Sequence, residues 1–294
     1  MKITVTGSLG NIGKNLIPIL TKAGHQVTAI SSNADRSSDI EALGAKAAIG
    51  SVSDAAFLTE AFTGADAVFA MTPPNLGGSS IIENTTKAGK AFATAFKNAG
   101  VKKVVMLSSI GADVPAGTGP IEGLYNIEQI YNQIEGISIT YLRAGYFYTN
   151  YYNDVPLIKN AGIIGSNLPA TASIPLVHPA DIAVAAAEEL QQTAAGNKVR
   201  YIVSDYRPAA DIASTIGVAI GKPELPWVAF TDDEALQGMT QAGVPAEIAG
   251  LYTAMGASLK SGAIQQDFIQ TGAPVNGATK LENFAKEFAT TFNN

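Results

Sequence analysis

A strand, a glycine bend and a helix within the first twenty residues constrain this chain more than anything after them. Lys2 to Ile19 reads KITVTGSLGNIGKNLIPI. Ile3 and Val5 alternate as a buried strand requires, and Leu16, Ile17 and Leu20 recur at helical spacing. Gly7, Gly10 and Gly13 stand between. Gly7 permits a tight turn out of the strand, Gly10 lets a pyrophosphate approach the backbone, and Gly13 lets the helix sit close to the strand. Unpaired amides at the helix start, backed by the helix dipole, then face the anion. The spacing is GxxGxxG where the commoner fingerprint is GxGxxG, but strand and helix flank it as a dinucleotide site demands.

In such a fold the tip of the second strand reads the adenosine ribose, and a carboxylate there selects NAD. The second strand spans Gln26 to Ile30 and is followed by Ser31, Ser32 and Asn33, then Arg36. No carboxylate stands at the tip, although Asp35 is close. Hydroxyls, an amide and a guanidinium suit a 2′-phosphate, so NADPH is preferred over NADH.

Strands and helical stretches then alternate to about residue 145. Ala67 to Met71 (AVFAM) is uniformly apolar, as a parallel strand covered on both faces is. It runs into Thr72, Pro73 and Pro74, a rigid turn at a strand end that reads equally as ligand contact or plain loop. A long helix over about 80–98 precedes a strand that delivers Ser108 and Ser109. The expected class is α/β: a Rossmann-type, doubly wound parallel sheet. Residues 1–150, with a returning strand and helix from about 176–204, form the dinucleotide-binding domain. Residues 151–175 and 205–294 form a smaller, mostly helical, substrate-binding part. Within it, 153–175 reads as an irregular excursion.

Tyr146, Phe147, Tyr148, Tyr151 and Tyr152 crowd the junction. Core packing explains such a run; so does an apolar pocket wall beside the cofactor. Tyr146, Tyr148 and Tyr151 are the candidate substrate contacts. His25 reads as a surface residue and His178 as a structural one.

Composition removes other classes. The formal net charge of −6 argues against a nucleic-acid partner. With no cysteine there is no disulfide, thiolate nucleophile or cysteine metal site, and two distant histidines make a histidine metal site unexpected. No apolar run reaches membrane-spanning length, and the chain opens directly into a strand without a leader pattern. A cytoplasmic monomer or homodimer is expected.

TGSLGNIG, VFAMTPP, VVMLSSIGAD, ITYLRAGYFYTNYY and LVHPADIA occur in that order. Together they resemble the landmarks of the NmrA-like branch of the extended and atypical short-chain dehydrogenase/reductases. MTQAGVPAEIAGLYTAMGASLKSGAI is similar to the subfamily holding triphenylmethane reductase and an NADPH-dependent quinone oxidoreductase. The resemblance covers nearly the whole chain. It implies that Gly7, Leu9, Gly10, Asn11, Ile12 and Gly13 form the phosphate turn. Ser32 and Arg36 fall where relatives carry basic residues, and Thr72, Pro73 and Pro74 fall along the cofactor ribose. Ser108 and Ser109 match the strand end beside the nicotinamide; Tyr146 and Phe147 match the segment closing over it.

One departure matters. The wider superfamily uses a tyrosine with a lysine four residues later, the lysine lowering the phenol's pKa. Here Tyr125 is followed by Gln129, which supplies no charge. Tyr125 and Ser109 remain the candidate catalytic groups. The NmrA-like quinone and dye reductases also dispense with the pair, because conjugated acceptors take hydride directly. The resemblance therefore implies an NAD(P)H-dependent reductase acting on an aromatic or quinone-like molecule. A non-catalytic NAD(P)-binding redox sensor is the alternative, and a nucleotide-sugar epimerase fits less well.

Overall fold

The computed structural model describes residues 1–73 and 79–293. Its first half is β1 (Lys2–Thr6), α1 (Gly13–Lys22), β2 (Gln26–Ser31), α2 (Ser37–Ala42), β3 (Lys46–Ile49), α3 (Ala55–Phe62), β4 (Ala67–Ala70), α4 (Ile81–Ala99), β5 (Lys103–Ser109), α5 (Glu122–Asn132) and β6 (Ser138–Ala144). The second half is β7 (Tyr146–Phe147), α6 (Val155–Ala161), β8 (Ile164–Ser166), β9 (Ser173–Val177), α7 (Pro179–Gln191), β10 (Lys198–Ile202), β11 (Asp205–Pro208), α8 (Ala209–Ala219), β12 (Trp227–Ala229), α9 (Asp232–Gln241), α10 (Ala246–Ser261), α11 (Gln266–Gln270) and α12 (Leu281–Asn293).

Seven strands form one parallel sheet in the order β10-β6-β5-β4-β1-β2-β3. Alternation along each strand feeds two cores. Phe69, Val105 and Leu142 face α1 and α7, meeting Leu16, Ile17, Leu20, Ile182 and Leu190. Val68, Val104 and Met106 face α3, α4 and α5, meeting Phe62, Phe92, Phe96 and Tyr131. Burial on both faces is why AVFAM carries no polar residue. The chain leaves β1 toward β2 and β3, then returns to the other side of β1 at β4. That reversal opens a crevice at the carboxyl ends of β1 and β4, where ligands bind in sheets of this kind.

The second half builds a smaller lobe with its own core, in which Tyr148, Tyr151, Ile158, Ile212, Ile216, Phe284 and Phe288 pack together. The stretch 153–175 is ordered, contrary to the sequence expectation. It holds α6, β8 and β9, and β9 pairs with β7 and β11. These elements are too short for a hydrophobic period to declare itself. Among the described residues, no helix is long and apolar enough to cross a membrane.

Candidate functional site

The glycine bend has three distinct local geometries. Gly7 lies in left-handed backbone at φ 81°, and a β-carbon there would sit 2.0 Å from Met71 Cε. At Gly13 a β-carbon would sit 1.9 Å from the Gly7 carbonyl oxygen, so only glycine lets α1 start this close to the turn. At Gly10 a β-carbon would meet nothing within 4 Å: its face is open. Helix α1 begins without a side-chain cap, and among the described residues the amides of Asn11, Ile12 and Gly13 have no hydrogen-bond acceptor. Leu9 and Ile12 pack inward on the sheet core, so only their backbone is offered to a ligand. Asn11 is exposed, its carbonyl accepting from Asn15 Nδ2 at 2.8 Å. Thr6 fixes the crevice: its Oγ1 accepts the Met71 N–H at 2.7 Å and donates to the carbonyls of Phe69 and Met71. The bend is thus a preformed cradle of amides at the switch point, the arrangement that holds a diphosphate.

At the tip of β2 the expected residues divide. Ser31 is buried, and its hydroxyl donates to the Asn33 carbonyl while accepting the Asn33 N–H. Both bonds shape the loop after β2. Asn33 Oδ1 accepts the Asp35 N–H at 2.9 Å and caps the single turn Ala34–Arg36. Ser32 and Arg36 are exposed, and among the described residues no carboxylate pairs with Arg36.

Toward the other end of the crevice, Thr72 is half-buried and Pro73 exposed, and Pro74 lies outside the described residues. Ser108 is buried, and its hydroxyl donates its one proton to Glu128 Oε1 at 2.6 Å, so as a donor it is committed inside the fold. Ser109 is half-buried and donates to the Ile110 carbonyl at 2.9 Å. The Tyr125 hydroxyl has no hydrogen-bond partner among the described residues, and nothing joins it to Ser109. On α5 the residue turned to the sheet is Glu128, while Gln129 faces solvent. The aromatic run also splits. Strand alternation in β7 sends Phe147 to the sheet-side core and Tyr146 to the smaller lobe. Tyr148 is a core residue, stacked on Phe284 at 5.1 Å with its hydroxyl donating to the Thr279 carbonyl. Tyr151 is buried too, its ring set edge-on to Tyr146 at 5.5 Å. Of the candidate substrate contacts only Tyr146 keeps an accessible face. Burial, with Asp154 and Tyr252 beside it, pushes its phenol well above the usual range, so it stays a neutral hydroxyl. His178 caps α7, its Nδ1 accepting the Ala180 N–H.

Two features escaped the sequence reading. Arg143 on β6 is buried and donates to Glu128 through Nε and Nη2, and to Asp113, Asp267 and the Tyr201 hydroxyl through Nη1. Tyr201 also bonds Asp267. This hub ties the loop after β5, α5 and α11 to the strand ends under the crevice. The signal was available: a charge inside the apolar stretch ITYLRA requires a partner. The second is Asp154, whose carboxyl is held neutral up to about pH 7 by desolvation. Nothing in its spacing marks it.

The NmrA-like family model matches residues 1–267. An NAD(P)H azoreductase of Xenophilus azovorans is 28% identical over 297 residues, covering 99% of each chain. Among solved structures, the Escherichia coli NADPH-dependent quinone oxidoreductase complexed with NADPH superposes with a TM-score of 0.82 at 21% identity, covering 97% of this chain and 99% of that one. Citrobacter sp. triphenylmethane reductase complexed with NADP(H) gives a TM-score of 0.80 at 21% identity, with the same shares covered. These likenesses establish the Rossmann-type fold.

Proposed function

The chain belongs to the NmrA-like family, and from that premise we propose that it is an NAD(P)H-dependent reductase of conjugated acceptors, quinone-like or dye-like. The observation that carries the reading is the open face of Gly10 beneath unpaired amides at the switch point. The names of its relatives, an azoreductase, a quinone oxidoreductase and a dye reductase, agree with one another in chemistry. The seven-strand half holds the dinucleotide, and the smaller lobe, through Tyr146, holds the acceptor.

NADPH is the preferred carrier. Arg36 is exposed and unpaired by carboxylate, and Ser32 and Asn33 stand beside it at the β2 tip. Backbone amides from Asn11 to Gly13 bind the diphosphate, and Phe147, anchored in the sheet-side core, closes over the nicotinamide end. When bound, the nicotinamide supplies the hydride. The protein's part is to stack the flat acceptor against that ring and exclude water. We take the enzyme to act in the cytoplasm as a monomer or homodimer, on small molecules and not on nucleic acid.

The test is a mixture of protein, NADPH and a panel of quinones, azo dyes and cationic dyes, followed at the reduced-nicotinamide absorbance band. Turnover with at least one class, faster with NADPH than with NADH, is expected. Binding of both redox forms with no turnover of any acceptor contradicts the reading and favours a redox sensor.

A further inference from the structure

Two buried side-chain atoms have no hydrogen-bond partner among the described residues, the Thr118 hydroxyl and Gln265 Oε1, and both flank α10. Thr118 precedes the turn Gly119–Ile121, and a β-carbon at Gly119 would sit 2.1 Å from the Leu251 carbonyl oxygen of α10. Gln265 follows Ile264, whose Cγ1 would sit 2.3 Å from a β-carbon at Gly111 in the loop after β5. Between them, Met255 and Leu259 of α10 pack on Ala112, Ile121 and Ile264. A third anomaly lies at the start of the same helix. Ser80 is in left-handed backbone at φ 55° and ψ 48°, uncommon for any residue but glycine. Glu247, in the first turn of α10, accepts the Ser80 and Ile81 N–H groups on its two oxygens, each at 2.7 Å. Helix α4 has no side-chain cap of its own, and this carboxylate, 166 residues beyond Ile81, serves as one. Glu247 is exposed, so parting from α4 leaves its charge in water. The rest of α10 is anchored in the smaller lobe. Buried Asn167 donates to the Thr253 carbonyl and to Asp232 at 2.9 Å each, and Lys260 pairs with Asp232 at 2.8 Å. A helix that follows a strand of a parallel sheet starts at the carboxyl edge. Helix α10 therefore lies over the segments after β4 and β5, on the edge that carries the glycine bend.

We propose that α10 is a lid over the nicotinamide end of the crevice and that Glu247 is its latch. The proposal rests on the reading that the crevice holds a dinucleotide. With the lid down, the burial of Met255 and Leu259 and the two charge-assisted bonds to Glu247 offset two unsatisfied groups and a strained serine. With it raised, water reaches Thr118 and Gln265, and Ser80 relaxes into ordinary backbone. The opposing terms leave the two arrangements close in free energy, as a gate requires. The carrier enters and leaves while the helix is raised, and water is kept from the nicotinamide while it is down. Asn167 and Lys260 hold the centre and end of α10 in the smaller lobe, so its start, where Glu247 stands, is the part that travels.

Release of bound NADPH, chased with excess NADP⁺, is followed by stopped flow for wild type, Glu247→Gln and Gly119→Ala, beside hydrogen exchange at single amides. Glutamine accepts on one oxygen and carries no charge, so Glu247→Gln speeds both NADPH release and exchange at Ser80 and Ile81 by roughly tenfold. The buried strand residues Val104 and Leu142 keep their wild-type exchange, which separates lid opening from general loosening. Gly119→Ala pushes α10 up through the Leu251 carbonyl without touching the latch, and it too speeds release. Faster exchange with unchanged release makes Glu247 a helix cap and nothing more, and overturns the proposal. Wild-type exchange at both amides in Glu247→Gln overturns it as well, as does a folded Gly119→Ala that releases NADPH at the wild-type rate. All three results leave the reductase reading in place. A wild type that binds no NADPH overturns both.

Discussion

Gly10 and Gly13 make opposite predictions although both are glycines of one bend. A methyl at Gly13 collides with the Gly7 carbonyl, so Gly13→Ala forces the turn apart and costs stability, about 1–3 kcal/mol. A methyl at Gly10 meets nothing, and Gly10 is not in left-handed backbone, so Gly10→Ala leaves the free protein as stable or slightly more so. In the proposed binding mode it fills the space a diphosphate takes, so NADPH affinity falls by roughly tenfold or more, about 1.4 kcal/mol. Thermal melts and calorimetry on the two variants separate the roles. Asp154 carries a second prediction at this scale. Its folded pKa, about 7, stands above its unfolded value, so the native state binds the extra proton. Stability is therefore lost as pH rises from about 4 to about 7 and levels off above that. Asp154→Asn lacks this penalty, so its melting temperature exceeds that of wild type by more at pH near 8 than at pH near 5. Of these residues the glycines were legible, because their spacing between strand and helix is itself the signal. Asp154 was not, because its burial is a property of the folded chain and leaves no mark in local spacing. Ser108 misled for a related reason: its place at a strand end reads as exposed until Glu128 is seen against it.

Among the elements, the Arg143 hub makes the clearest demand. Glu128 meets Arg143 on two donors and holds Ser108 as well, all out of water. Glu128→Leu takes away the most deeply buried of the three carboxylates around Arg143, leaving Asp113 and Asp267, and costs about 3 kcal/mol. Adding Arg143→Met to it removes the under-compensated charge, so the double variant is less destabilised than the sum of the singles, and denaturant unfolding of the full cycle measures the difference. The longer helices α4, α5, α8, α9, α10 and α12 were legible from their hydrophobic period and glycine stops, and the five-residue α11 was not. Gly100, for example, closes α4 in left-handed backbone at φ 67°. The short elements α6, β8 and β9 were not, because they hold their shape through β7, β11 and β12, partners the local pattern does not contain.

At the scale of the molecule, strand order decides where a ligand goes. A chain that alternates strand and helix announces a parallel sheet, but the reversal at β1 is a property of the crossovers and appears only in three dimensions. It sets Gly7 against Met71, and with them the amide cradle against the crevice. The second lobe adds the aromatic side, and its core absorbs most of the tyrosines that a linear reading assigns to a pocket. Carrier choice follows from the same layout, since the β2 tip lies one strand from the cradle. Arg36→Ala narrows the preference for NADPH over NADH by roughly tenfold, read as the ratio of the two affinities. The most direct measurement is calorimetric titration of the purified chain with NADPH and NADH. Saturable one-to-one binding, tighter for NADPH and weakened by roughly tenfold or more in Gly10→Ala, is the predicted result; no heat of association with either carrier contradicts the account at its root.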